Sequence, residues 1–354
     1  MPPLTKLRGL LLLPLALLAG CNMVVLNPSG DIARQQGQLI VISTVLMLLI
    51  IVPVIGLTIF FAWKYRQSNQ EAKYQPEWDH STELELAIWA APLMIIIALG
   101  AITWISTHTL DPYRPLRRLE VNRPIPDNTT PLTVEVVALD WKWLFIYPEQ
   151  GIATVNELAA PVDRPIVFKI TASSVMNSFY IPALAGQIYA MPGMETKLNA
   201  VINQPGEFEG FSANYSGAGF SGMRFKFHGV THEGFDQWVQ KARAESTELS
   251  REVYQKLERP SEREPVRRFG TVAPDLYDAI LNRCVDRNKM CMNQMMAIDA
   301  TGGIGGAPGA YNVARKPWQP DEKNSPIRSY VTAMCTVEDP AGISIPRTNF
   351  RIEE

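Results

Sequence analysis

The chain has 354 residues, 33 of them basic and 35 acidic, for a formal net charge of −2, a balance that leaves no case for a nucleic-acid partner. Four cysteines and four histidines restrict any site that needs many thiolate or imidazole ligands. Three long apolar runs lie before residue 110 and the rest reads as soluble protein, so a membrane anchor is expected ahead of one substantial water-facing domain.

Lys6 and Arg8 precede the apolar stretch Leu10 to Leu18, which runs into Leu18-Ala19-Gly20-Cys21. A charged start, a short apolar core and a small-residue cleavage site predict a signal peptide over residues 1–20. The cysteine directly after Leu-Ala-Gly resembles the lipobox of bacterial lipoproteins, which implies a lipid on Cys21 and a mature chain starting there. Residue 22 is Asn, and nothing in it argues against retention at the inner membrane. Residues 21–38 are expected to be a periplasmic segment.

Leu39 to Trp63 and Leu86 to Thr107 carry no charge over 25 and 22 residues. At about 1.5 Å per residue each reaches across a hydrocarbon layer of about 30 Å. Two transmembrane helices are therefore expected at 39–63 and 86–107, with Pro53, Gly56 and Pro92 producing kinks, not loops. Lys64, Arg66 and Lys73 lie between them, so the loop 64–85 is expected on the cytoplasmic side and everything after about residue 110 in the periplasm. Glu71, Glu77, Asp79 and Glu83 in that loop dilute the bias.

From residue 131 the pattern becomes short and β-rich. Strands are expected at Leu132 to Val137, Trp141 to Tyr147, Ile166 to Thr171, Lys197 to Ile202 and Glu207 to Ser212, separated by Asp163-Arg164-Pro165, Pro192-Gly193 and Gln204-Pro205-Gly206. Residues 108–230 thus read as a β-sandwich or barrel. Trp141, Trp143 and Phe145 alternate along one strand, consistent with an aromatic core or an electron-transfer surface. After 231 the period turns helical, with Phe235, Trp238, Val239 and Ala242 on one face. Residues 231–290 are expected to form a helical extension, solvent-exposed over Glu245 to Arg268 and helical again over Asp275 to Arg287. Residues 291–354 read as a tail with a flexible Gly-rich segment at Thr301 to Ala310.

Two spans followed by a β-domain, joined at the membrane edge by Glu85-Leu86-Ala87-Ile88-Trp89-Ala90-Ala91-Pro92, resemble subunit II of the haem-copper oxidases, whose pattern has Glu, Trp and Pro at these places. The resemblance implies a cupredoxin-like domain. In the cytochrome c oxidase branch that domain holds a binuclear copper centre on an early His and a loop Cys-x-Glu-x-Cys-x-x-x-His-x-x-Met. Here the loop runs from Ser212 to Met223 with its spacing intact. Ser212 and Ser216 stand for the bridging thiolates, Asn214 for the Glu carbonyl and Phe220 for the second imidazole, while Met223 is retained. Asn177 matches the early His. Copper pairs need thiolates and imidazoles, so no metal is expected here. Cys284, Cys291 and Cys335 lie beyond the β-domain; Cys284 and Cys291 could pair in an oxidising compartment, with connectivity left open.

A retained scaffold without ligands resembles the quinol-oxidising, bo-type branch of the family, over about residues 10 to 285. The resemblance implies a lipid-anchored subunit of the bacterial inner membrane that binds no cofactor itself. Haem and copper would sit in subunit I, with smaller oxidase subunits as further partners, ubiquinol as the substrate of the complex and no role for cytochrome c. It also implies that Glu85 stands at the entrance of a proton pathway into subunit I, although Glu83 could substitute and an interfacial Glu could simply end the apolar run. The competing class is a non-respiratory lipoprotein whose β-domain is a binding module, for which two spans would be superfluous.

Overall fold

The computed structural model describes residues 23–73 and 76–300. Two long helices come first, α1 (Asp31–Lys64) and α2 (Thr82–Thr109). Their apolar windows are wholly unburied, with Ile59 65% and Trp89 77% exposed, and both helices are long and apolar enough to cross a membrane. Both helices run through their prolines, Pro53 and Pro92. Each starts before its apolar run, α1 by eight residues and α2 by four. Hydropathy marks where lipid begins, whereas the helix continues into water wherever something receives its first turn.

For α1 that receiver is the β-domain. Asp31 is 2% exposed and accepts from the Arg118 guanidinium at 3.0 and 3.3 Å. Arg34 pairs with Glu120 at 2.5 Å, and Gly30 bridges to Ile202. A Cβ on Gly30 would lie 2.6 Å from the Leu184 carbonyl oxygen, so only glycine permits this approach. This helix is therefore joined to the domain at its own first turn.

The domain opens with a small hairpin, β1 (Arg118–Glu120) and β2 (Arg123–Pro124). It continues with β3 (Leu132–Leu139), β4 (Lys142–Tyr147), β5 (Ile152–Val155), β6 (Glu157–Pro161), β7 (Ile166–Ala172), β8 (Asn177–Tyr180), β9 (Ile188–Ala190), β10 (Thr196–Ala200), β11 (Gly206–Ser212) and β12 (Arg224–Val230). These form two sheets, one ordered β10-β7-β3-β4-β5 and the other β6-β12-β11-β8-β9. The pairs β3/β7 and β12/β6 are parallel and the rest antiparallel, a mixed cupredoxin-like sandwich. Between the sheets lie Trp143, Phe145, Phe168, Phe179 and Phe225. Phe179 stacks on Phe225 at 5.5 Å, and Trp143 meets Phe179 edge-on at 5.3 Å, geometries the ring quadrupoles favour.

The region expected to be a helical extension is mixed instead. It holds α3 (His232–Arg243), α4 (Arg251–Glu258) and α5 (Leu276–Leu281), with α6 (Met292–Ala300) beyond it, but also β13 (Glu248–Leu249), β14 (Arg267–Phe269) and β15 (Thr271–Val272). β14 adds to the first sheet against β5, and β13 pairs with β15. Arg267-Arg268-Phe269 is too short and too charged to show a period-2 signal. The stretch Glu245 to Arg268 is not uniformly exposed: Tyr254 and Leu257 of α4 are buried with Leu139, Leu144 and Ile146 in a second core. The first sheet is thus covered on both faces, which is why all six residues of β4 are buried. The helix expected over Asp275 to Arg287 stops at Leu281, because Arg283 turns to φ +56. A Cys284–Cys291 disulfide then leads into α6, in what was expected to be tail. Cys21, Cys335 and the Gly-rich segment lie outside the described residues.

Candidate functional site

β8 begins with Asn177 and β11 ends with Ser212, and the two strands are antiparallel neighbours with Ser212 opposite Phe179. This pairing brings together two positions 35 residues apart. Asn177 is 1% and Ser212 3% exposed. The Ser212 hydroxyl donates to Asn177 Oδ1 at 3.0 Å and lies 3.3 Å from the Asn214 carbonyl. Asn177 Nδ2 donates to the Val175 carbonyl at 3.2 Å. Met223, fully buried, accepts at its carbonyl from the Ser212 amide at 3.2 Å.

The remaining ligand positions diverge from that centre. Asn214 is half-buried and donates to the carbonyls of Met176 and Tyr215 at 3.4 and 3.2 Å. Phe220 starts a single 3-10 turn, and its ring meets Tyr215 edge-on at 5.7 Å. The Ser216 carbonyl accepts from Trp141 Nε1 at 3.0 Å, and the Ser216 hydroxyl is buried without a protein partner.

Trp141 departs from the expected alternation. Trp143 and Phe145 point into the core, but Trp141 precedes β4 with φ +67 and lays its indole over the loop. Cβ atoms built on Gly217 and Gly219 would lie 3.1 and 2.5 Å from that ring. The glycines Gly217 and Gly219 thus make room for a tryptophan lid over the former ligand loop. Their spacing around Ala218 was the signal in the sequence, but it points to a partner only once the partner is known. Lys142 escaped notice too. It is 1% exposed, and its ammonium donates to the Asp140 and Arg259 carbonyls and to Ser261 Oγ at 3.3, 2.8 and 2.7 Å, tying the start of β4 to the C-terminal region.

Glu85 lies in the first turn of α2, half-exposed, with His80 Nδ1 2.7 Å from its Oε1. Glu83 shares that turn. A carboxylate at a helix N-terminus is favoured by the helix dipole. Glu85 and Thr109 are 24 positions apart, so this turn and the domain end of α2 are about 36 Å apart, and Glu85 has no part in the Asn177–Ser212 cluster.

Comparison with known proteins matches residues 148–230 to the periplasmic domain of cytochrome c oxidase subunit II, and residues 243–288 to the COX aromatic-rich motif. The cytochrome bo(3) ubiquinol oxidase subunit 2 of Pseudomonas aeruginosa is 50% identical over 281 residues, 79% of this chain and 82% of that protein. The chain belongs to the ubiquinol oxidase subunit 2 family. Ubiquinol oxidase subunit 2 of Acetobacter aceti is 51% identical over 265 residues, 75% of this chain and 84% of its own length. Quinol oxidase subunit 2 of Bacillus subtilis is 38% identical over 246 residues, 69% and 74% of the two chains.

Within this subunit 2 chain, the residues at the ligand positions do not fit a binuclear copper centre. Serine and asparagine supply no thiolate bridge, Phe220 offers no donor, and the Ser212 hydroxyl is spent on Asn177. The cluster holds strands together instead. Among the described residues no three His, Cys, Asp or Glu side chains are grouped to hold a metal ion. The aromatic-rich motif coincides with the segment that carries α4, β13 to β15 and α5, covering the outer face of the first sheet.

Proposed function

We propose that this chain, as subunit 2 of a ubiquinol oxidase within a haem-copper oxidase complex, works without a redox centre of its own. It docks through α1 and α2 onto subunit I, which carries the haem and copper, and its sandwich caps the periplasmic face alongside the smaller subunits. The complex oxidises ubiquinol, reduces oxygen to water and moves protons outward, with no electron delivery from cytochrome c. The observation that carries this reading is the Ser212–Asn177 hydrogen bond at the place of the copper ligands, since a lipid-soluble donor makes a periplasmic electron port unnecessary. Lipidation at Cys21 and retention at the inner membrane complete the picture.

Purification through a tag on this chain, followed by a redox difference spectrum and oxygen uptake, tests the proposal. Haem signals with ubiquinol-driven uptake, and none with reduced cytochrome c, are expected; a colourless, inactive preparation would overturn it.

Glu85 has a more specific role in this proposal. A carboxylate at the cytoplasmic end of a span collects protons and hands them on, and His80 Nδ1 lies 2.7 Å from its Oε1. Glu85→Ala is expected to slow ubiquinol-driven turnover while the subunit still co-purifies with haem. Unchanged turnover in the purified variant would remove Glu85 from the pathway.

A further inference from the structure

A cavity of about 280 Å³ opens where the two helices meet the domain. One wall is the first two turns of α1, with Asp31 and Gln35; the other is the segment leaving α2, with Asp111, Arg114, Arg117 and Arg118. The Asn199 amides, main-chain and side-chain, donate to the Pro112 carbonyl at 3.1 and 3.0 Å, which fixes that segment to β10. Away from the cavity the helices present mainly apolar side chains to their surroundings, Ile40 and Ile105 among them, while Trp104 and Tyr113, close in the chain to its lining from Thr109 to Arg114, are 70% and 50% exposed. Amphipathic aromatics in that position mark the level of lipid headgroups.

The charges lining the cavity are not balanced. Arg118 is spent on Asp31, and Arg34 outside is spent on Glu120. Arg114 gives one N–H to the His108 carbonyl at 3.1 Å and keeps the rest of its donors. The Arg117 guanidinium has no side-chain partner among the described residues. Three arginines against Asp31 and Asp111 leave one net positive charge. Both carboxylates already accept hydrogen bonds, Asp31 from Arg118 and Gln35, and Asp111 from the Tyr113 amide, so an incoming ammonium finds little welcome. A phosphodiester with a neutral, hydroxyl-bearing headgroup suits the remainder: planar guanidiniums match phosphate oxygens, and the Gln35 carbonyl remains free to accept from a hydroxyl.

We propose that this cavity is a binding site for one anionic phospholipid of the periplasmic leaflet, of the phosphatidylglycerol class, its phosphate on Arg114 and Arg117 and its acyl chains along α1 and α2. The proposal rests on the membrane-subunit reading above. Its consequence is a lipid acting as mortar where the helices meet the domain, beside the contacts of the first turn of α1 with Arg118 and Glu120 and the short segment 110–117.

The test uses the intact oxidase complex, delipidated in mild detergent and re-equilibrated with mixed micelles of phosphatidylglycerol or phosphatidylethanolamine, with bound lipid counted by native mass spectrometry. The wild type is expected to hold one more phosphatidylglycerol than Arg117→Gln or the Arg114→Gln/Arg117→Gln double variant, the double variant binding it roughly tenfold more weakly, as the loss of charge-assisted hydrogen bonds implies. Arg287→Gln, on an exposed loop of the C-terminal region, should change nothing. Equal retention of both lipids, indifference to the substitutions, or displacement of the lipid by millimolar inorganic phosphate would overturn the lipid site, the last in favour of a free-anion site. A preparation without haem would instead overturn the subunit reading itself, whereas a haem-loaded complex lacking the preference overturns the lipid site alone.

Discussion

Arg268→Ala should loosen the C-terminal region from the sandwich. Arg268, on β14, donates from Nε and Nη2 to the two oxygens of Glu157 at 2.8 Å each, and the Glu157 side chain is only 9% exposed. Removing the arginine leaves that carboxylate with His228 Nε2 at 3.5 Å and the Lys226 ammonium farther off. Breaking a buried pair costs about 3–5 kcal/mol; because the Arg268 side chain is 20% exposed, water reaches part of the site and about 2–4 kcal/mol is the expected loss. Urea unfolding of the purified subunit in detergent, followed by tryptophan fluorescence, should show a midpoint lower by about 1 M. The double variant Glu157→Leu/Arg268→Leu should recover most of the loss, because it leaves no stranded charge. A single variant within about 0.5 kcal/mol of wild type, or a double variant as unstable as the two single losses combined, would refute the reasoning.

Ser212→Ala should cost about 1–2 kcal/mol, since it leaves the buried Asn177 Oδ1 without its donor, and Asn177→Ala made in the same background should add little; independent losses in the unfolding double-mutant cycle would contradict the contact. Gly219→Ala, whose Cβ would sit 2.5 Å from the Trp141 ring, should displace the indole and red-shift its fluorescence, and an unchanged spectrum would count against the lid. Glu135 is held at a pKa of about 7, raised by burial and by Asp278 and Glu195 against the pull of Lys169. With its folded pKa above its unfolded value near 4.5, its contribution is fully present below pH 4.5 and lost as pH rises through 7. Glu135→Gln should therefore be more stable than wild type at pH 8 and not at pH 4.5; a pH-independent difference would dismiss the buried-carboxyl account.

Much of this protein was legible along the chain because the relevant signals are local. A 25-residue run without charge gives a helix long and apolar enough to cross a membrane, period-2 apolar patterning marks β3, β7 and β11, and serine at a thiolate position offers copper no thiolate whatever the fold. The spacing from Ser212 to Met223 pointed to a loop whose first residue hydrogen-bonds to Asn177 in the folded chain. What escaped was decided by pairings between distant segments. Arg267-Arg268-Phe269 becomes a strand only because β5 offers an edge, and Tyr254 and Leu257 are buried only because the first sheet exposes a second apolar face to them. Lys142 sits in the interior because three acceptors from Asp140, Arg259 and Ser261 converge on its ammonium. The first turn of α1 ends up in water against the domain because Arg118 and Glu120 wait there for Asp31 and Arg34. Composition and periodicity report what each residue prefers, lipid, water or a pleated face. Which partner satisfies a buried charge or hydroxyl depends on long-range closure, and that is a property of the folded chain alone.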